Sequence, residues 1–451
     1  MAIWLKNPLA ILAPNAEGGI VVDGTDIIEL IPGGATPTSV AADVLNIFDA
    51  SAHVLLPGLI NTHHHFYQTL TRACPPALNK PLFPWLQALY PIWAKLSPQM
   101  VAASSELALA ELLLSGCTTA ADHHYLFPDG LDDAVDIQIE QARKMGIRVV
   151  LTRGSMSLGE DQGGLPPQST VQNEQVILED SERLIKAYHD STSGAMTQIA
   201  LAPCSPFSVS TELMKASAQI ARQYGVRLHT HLAETHDETA FCKKMFGLSP
   251  LDYLEHVGWL DKDVWLAHGI HFDEAEIKRL GAAGTGICHC PSSNMVLSSG
   301  ICRTLELEEA GAPVGLGVDG SASNDGSNLI QEVRQAMLIG RLRYSADKMT
   351  HERAFHMATK GSASCLGRND IGVLEAGTKA DLALFKLDEP RFSGAGDPLA
   401  ALLLCGAHKA DHVMVNGDWR VKDGKITNLD MTALMERHSR LARELVTSLS
   451  D

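Results

Sequence analysis

The 451-residue chain has no apolar stretch long enough to span a bilayer, which argues against a membrane-embedded protein. Its N-terminus, MAIWLKNPLAIL, lacks the basic-then-apolar layout of a secretory leader, so a cytoplasmic location is expected. Basic residues are in deficit, with 36 Lys and Arg against 53 Asp and Glu and a formal charge of −17. A surface of that sign repels phosphate backbones, so nucleic acid is not expected as a partner. The nine cysteines are odd in number and scattered without a disulfide-like framework, as in a reduced compartment. Cys288 and Cys290 flank His289, but no second Cys pair stands at zinc-finger spacing. Buried thiols acting as small hydrophobes are therefore expected there. No short repeat, low-complexity tract or charge block interrupts the chain.

What is present is an ordinary soluble composition, 45% hydrophobic and 20% charged, in a chain able to bury a large core. The first 57 residues read as short strands and turns, and the pattern returns in KADLALFKL, HVMVNGDWRV and KDGKITNL. The Asn416-Gly417 and Asp423-Gly424 pairs carry hairpin-turn chemistry. Residues 1–57 and 370–430 are thus expected to form one composite β-sandwich domain. Residues 431–451 have helical periodicity.

Between these ends, short apolar runs alternate with helical stretches. Eight buried strands are expected: LINTHHH (59–65), TTAADHHY (118–125), RVVLTRG (148–154), IALAPCS (199–205), RLHTHLAE (227–234), VWLAHGI (264–270), GICHCP (286–291) and VGLGVDG (314–320). Eight such units over residues 58–369 argue for an α/β protein built as a (β/α)8 TIM barrel. A doubly wound sheet is disfavoured because no glycine-rich phosphate turn follows the first strand.

The chemically potent residues gather at the C-terminal ends of these strands, where a barrel builds its active site. A strand's period of two turns His63 and His65 to one face and His64 to the other. Two imidazoles on one face form half of a divalent-metal site. His231 and Glu234 end the fifth strand, His268 the sixth and Asp319 the eighth. Any one alone reads as a packed histidine or a capping aspartate. Six on one rim point to a catalytic metal centre.

This joint pattern resembles the amidohydrolase superfamily over almost the whole chain, in PGLINTHHH, HTHLAET, LAHGI and GLGVDGSASND. The resemblance is to its mononuclear deaminase branch, and implies metal ligands His63, His65, His231 and Asp319. It further implies Glu234 as proton shuttle, with His268 and Asp319 orienting and deprotonating water. His229 shares a face with His231 and reads as an inner-barrel residue. The implied cofactor is one Zn2+ per chain, with Fe2+ as the alternative. A binuclear cyclic-amide hydrolase would place a lysine on the fourth strand, and IALAPCS has none. A non-catalytic barrel scaffold is disfavoured by the intact ligand set.

Longer strings, among them NTHHHFYQTLTRA, LFPWLQALYPIWA, LTRGSMSLGEDQGGLPP and CHCPSSNM, resemble the bacterial 8-oxoguanine deaminases. The implied reaction converts 8-oxoguanine and water to urate and ammonia. Guanine, isoxanthopterin and hydroxytriazine remain alternative substrates, and a homo-oligomer is a family-level expectation. For a nucleobase-like small molecule the substrate-binding candidates are Gln68, Arg153, Tyr125 and Cys204. Gln68 both donates and accepts. Arg153 either binds a purine carbonyl or pairs with a nearby loop carboxylate. Where guanine deaminases carry an Arg-Phe pair, this chain has Ala202-Pro203-Cys204-Ser205-Pro206-Phe207. Trp85 and Trp93 pack either over the base or into the core.

Overall fold

The computed structural model of the protein describes residues 2–41 and 43–447. Eight parallel strands form the central sheet: β1 (Leu59–Asn61), β2 (Cys117–His124), β3 (Arg148–Ser155) and β4 (Thr197–Pro203). They are followed by β5 (Leu228–Leu232), β6 (Val264–His268), β7 (Gly286–His289) and β8 (Val314–Leu316). Each pairs with its sequence neighbour. Backbone bonds just past the strand ends close the ring: Thr62 N donates to Leu316 O at 3.0 Å and Asp319 N to His63 O at 3.0 Å. The Asn61 side chain reinforces the seam by accepting from Val318 N at 2.9 Å. With helices outside, this is a (β/α)8 barrel whose strands are buried on both faces, hence their apolar runs.

Several strands end earlier than their sequence runs suggest. β1 stops at Asn61, so His63-His64-His65 lies in the turn beyond it. There Phe66 N bonds the Asp122 carboxylate at 2.6 Å rather than a strand partner. Beyond β5 and β8, Ala233 and Asp319 adopt φ of 54° and 62°, and His268 ends β6 at 70°. Left-handed backbone at non-glycine residues breaks the extended geometry and is costly unless surroundings enforce it. All three stand at the rim where the reactive side chains collect.

The two chain ends fold together. A six-stranded sheet joins Ala10–Ile11 and His53–Pro57 to Leu382–Lys386, His412–Val415, Asp418–Lys422 and Lys425–Ile426. A second, four-stranded sheet is drawn from the N-terminal segment alone. Asn416 and Gly417 have φ of 51° and 83°, and Asp423 and Gly424 49° and 65°, the paired positive values of a type I′ hairpin turn.

Between β1 and β2 the chain inserts two helices, α1 (Leu82–Trp93) and α2 (Pro98–Leu114). The C-terminal helix, α3 (Met431–Thr447), packs on α2 and on the tight turn Phe66–Thr71. Residues 448–451 of the expected helix lie outside the described residues. No helix among the described residues is long and apolar enough to cross a membrane.

One buried ion pair ties barrel to sheet. Arg148, at the start of β3, meets Asp381 at 3.2 Å with both side chains shielded from solvent. Arg148 also donates to the carbonyls of Gly194 and Ala195, and Asp381 accepts from Asn416 N. Removing one partner of such a pair strands a buried charge, at about 3–5 kcal/mol. Arg148→Ala is therefore expected to lower the urea midpoint by a loss of that order, while Arg222→Ala, in a half-exposed pair, leaves it nearly unchanged.

Candidate active site

The site forms at the C-terminal rim, where β1, β5, β6 and β8 end. His63 and His65 both turn inward, their ring centroids 4.7 Å apart. His64 turns away, its Nδ1 accepting from His65 N at 2.7 Å and its ring against Phe66.

The backbone decides which nitrogen of each inward imidazole carries the proton. His65 Nδ1 donates to His123 O at 2.7 Å, and His231 Nδ1 to Cys204 O at 2.7 Å. His229 Nδ1 donates to Trp265 O at 2.8 Å, so its Nε2 accepts from His63 Nδ1, also at 2.8 Å. In all three of His63, His65 and His231 the Nε2 atom is left with a bare lone pair. These atoms converge. His65 Nε2 lies 3.3 Å from His231 Nε2, and Asp319 Oδ1 lies 3.3 Å from both His63 Nε2 and His65 Nε2. Donors bonded at 2.0–2.1 Å to a tetrahedral ion stand about 3.3–3.4 Å apart. Lone pairs facing one another at that spacing repel unless a cation lies among them. The spacing of these donor atoms on His63, His65, His231 and Asp319 therefore suits a divalent cation. The 2.8 Å contact between His63 and His229 is a hydrogen bond and places His229 behind His63.

Electrostatics agree with neutral imidazoles around an ionised carboxylate. Burial, and then the neighbouring imidazoles, push His231 down to about 3, and burial holds His63 well below its usual range. Burial would raise Asp319, but its contacts with His63 and His65 outweigh it and hold the carboxyl well below its ordinary value.

Two further groups stand beside these side chains. His268 Nδ1 donates to Asn294 Oδ1 at 3.0 Å, which aims Nε2 at Glu234 Oε2 (3.4 Å) and Asp319 Oδ2 (3.8 Å). Burial disfavours its charged form, yet Glu234 and Asp319 outweigh that and raise its pKa. Burial raises Glu234, whose Oε1 accepts from Ser299 Oγ at 3.3 Å. Glu238 bonds the backbone N–H groups of Ala233 (2.7 Å) and Glu234 (3.4 Å), supporting the left-handed turn from which Glu234 projects. Asp319 thus divides its oxygens, Oδ1 toward two imidazoles and Oδ2 toward His268.

Over these groups lies a small cavity at the barrel rim. His65, His231, Glu234, His268 and Asp319 form its reactive end. Gln68, Tyr125, Cys204 and Trp85 line it too, and Gln68 Oε1 accepts from Ala322 N at 3.3 Å. Trp93 does not; it lies in the core with its indole N–H on Thr71 Oγ1.

Of the two readings of Arg153, the structure shows the carboxylate pair. Arg153 is paired across the ladder with His124, while the inward-facing His123 pairs with Thr152. Period two therefore sends Arg153 to the outer face of the barrel. There it bonds Asp180 and Gln172 and lies over Phe127 at 3.7 Å, so its partners are structural and it does not line the cavity.

Sequence reasoning missed Leu82, Leu86, Tyr90, Phe207, Leu297 and Ser323, which complete the lining. The stripe 82, 85, 86, 90 in LFPWLQALYPIW was a readable signal for the α1 residues. Nothing in the sequence marked Asn294, Ser299 or Glu238, whose roles arise from contacts across loops.

A closed parallel barrel with three imidazoles and a carboxylate converging at its rim has the architecture of a barrel hydrolase. Residues 54–420 match the model of the Amidohydrolase family, and the chain belongs to that family. It is similar to the 8-oxoguanine deaminase of Pseudomonas aeruginosa, at 62% identity over 98% of this chain and 99% of the relative. It is 34% identical to an isoxanthopterin deaminase from an unknown prokaryotic organism, over 89% of this chain and 87% of the relative. Among solved structures it is similar to an atrazine chlorohydrolase from Arthrobacter aurescens TC1 complexed with zinc. That likeness has a TM-score of 0.90 and 32% identity over 99% of each chain.

Because His229 fixes the tautomer of His63, His229→Ala is expected to weaken metal retention about 10- to 100-fold. Equilibrium dialysis of the folded variant against a graded chelator measures it. His64→Ala serves as the control, expected to cost stability with metal retention unchanged.

Proposed function

We propose that the protein is a metal-dependent aminohydrolase that converts 8-oxoguanine and water to urate and ammonia. The observation that carries this reading is near-full-length 62% identity to an 8-oxoguanine deaminase. The same chain places a buried acid, Glu234, beside a donor set fit for a metal. We assign His63, His65, His231 and Asp319 as ligands of one Zn2+, with Fe2+ as the alternative the His3Asp set also accepts. The absence of lysine from β4 favours one metal over a bridged pair. The nine free cysteines suit a reduced compartment such as the cytoplasm. Residues 1–57 with 370–430, residues 58–369 and residues 431–451 are the proposed domain divisions.

When bound, a divalent cation lowers the pKa of water from 15.7 toward about 7, making a nucleophile available at neutral pH. The chain's own groups then divide the proton traffic. Asp319 Oδ2 and His268 Nε2 take one proton from the water as its oxygen attacks C2 of the purine. Glu234, whose pKa burial raises, protonates the adjacent ring N3. On collapse the proton held at Asp319 passes to the amino group, which leaves as ammonia. The hydroxyl on C2 returns its proton to Glu234 as the carbonyl of urate forms.

Gln68 and the neutral hydroxyls and thiol of Tyr125 and Cys204 supply in-plane recognition of the base. Cys204 remains a thiol, its pKa pushed up to about 12 by burial.

The test is ammonia release by the purified enzyme from 8-oxoguanine, guanine, isoxanthopterin and hydroxyatrazine, with metal content measured on the same sample. The highest kcat/KM is expected for 8-oxoguanine at one metal per chain, and a higher value for guanine or isoxanthopterin would sink the substrate assignment. Glu234→Gln is expected to keep its metal while losing about 10²–10⁴ in kcat. Near-normal turnover would remove Glu234 from the mechanism.

A further inference from the structure

We propose that His438, on the C-terminal helix α3, is a positioning residue for the substrate: by gripping Thr69 it fixes the tight turn that presents Gln68 to the cavity. This role rests on the substrate reading above, in which Gln68 meets the base, and deepens it. The buried face of α3 is formed by Leu434, His438, Leu441 and Leu445, spaced as one helical stripe. Packing alone would be served by a fourth leucine. Instead His438 stands there, 7% exposed, with Nε2 3.0 Å from the hydroxyl of Thr69, itself 2% exposed. That hydroxyl donates to Phe66 O at 3.1 Å, so it accepts from the N–H of His438 Nε2. Burial pushes the imidazole down to about 4, so the ring that makes this bond is neutral at pH 7.

The geometry of the turn carries this grip to the cavity. Phe66–Thr71 is a 3₁₀ turn, in which successive side chains point about 120° apart. Gln68 and Thr69 therefore face different ways, one into the cavity and the other onto α3. Gln68 N donates to His65 O at 2.9 Å, and Gln68 O accepts from Thr71 Oγ1 at 3.2 Å. The indole N–H of Trp93 in turn holds that threonine, at 3.1 Å. The Gln68 amide has little room to adjust. Its Oε1 accepts from Ala322 N at 3.3 Å, and a methyl group on Gly320 would overlap it. A turn released on its outer side shifts this amide out of the plane of a flat base, and hydrogen bonds weaken steeply with such misplacement.

His438→Leu completes the apolar stripe with a better helix former and removes only the bond, so thermal stability should hold or rise. Its KM for 8-oxoguanine is expected to rise about tenfold, with kcat changed less than about twofold and metal content unchanged. His438→Gln, whose amide reaches the place of Nε2, should return KM to within about threefold of wild type. Thr69→Val removes the other partner and carries the test should His438→Leu not fold. It is expected to match His438→Leu, and the double variant to be no worse than either. Arg437→Ala, which breaks an exposed ion pair with Glu106 on the same helix, should leave KM unchanged. A KM for His438→Leu within about twofold of wild type, equal losses in His438→Leu and His438→Gln, or loss of metal would overturn the role of His438. Failure of the wild type to release ammonia from 8-oxoguanine would instead overturn the substrate reading. The same variants assayed on the heterocycle that is turned over would then still decide the role of His438.

Discussion

Mutual repulsion among four donor atoms is the constraint around which this structure is organised. His63, His65 and His231 bring Nε2 lone pairs, and Asp319 a negative oxygen, to spacings of 3.3 Å. No packing force favours that arrangement by itself. It is held because each imidazole exports its proton to an acceptor anchored in the barrel: His123 O, Cys204 O, and Trp265 O through His229. Those carbonyls come from β2, the loop after β4, and β6, so ring closure and imidazole orientation are one problem. The left-handed residues Ala233, His268 and Asp319 belong to the same bargain between site and scaffold.

Around that centre the support is layered. Asn294 and Ser299, from the segment after β7, reach back to His268 and Glu234, so one loop aims both side chains. Glu238 braces the turn that carries Glu234. On the substrate side, the turn holding Gln68 is buttressed by α3, where His438 bonds Thr69 at 3.0 Å. The chain's last helix thereby touches the element that lines its binding cavity. Opposite, Arg148 and Asp381 lock the barrel to the composite sheet without touching the chemistry.

Much of this was legible in the residues. Eight apolar runs marked eight strands because parallel strands covered on both faces need no alternation. Their ends were less legible, since hydrophobicity does not report the positive φ that terminates β6 or the turns beyond β5 and β8. Polar residues at those ends marked the rim, and the spacing of His63 and His65 set both on one side. Arg153 shows where such reading leaves a choice open. Lying near a strand end placed it at the rim, but only the register of β2 with β3 reveals that it faces outward. Tyr90 was missed, its helix being readable but its position over the barrel mouth not.

The sequence by itself determined the alternation of strand and helix, the identity of the chemically potent residues and the pairing of the two termini. Those properties are written in periodicity and residue type, which act locally. Only the tertiary structure decided which nitrogen of each imidazole is bare and which oxygen of Asp319 meets which partner. Each of these depends on carbonyls and side chains distant in sequence. Hydrogen bonds act over about 3 Å, and only the closed barrel brings such atoms within that distance.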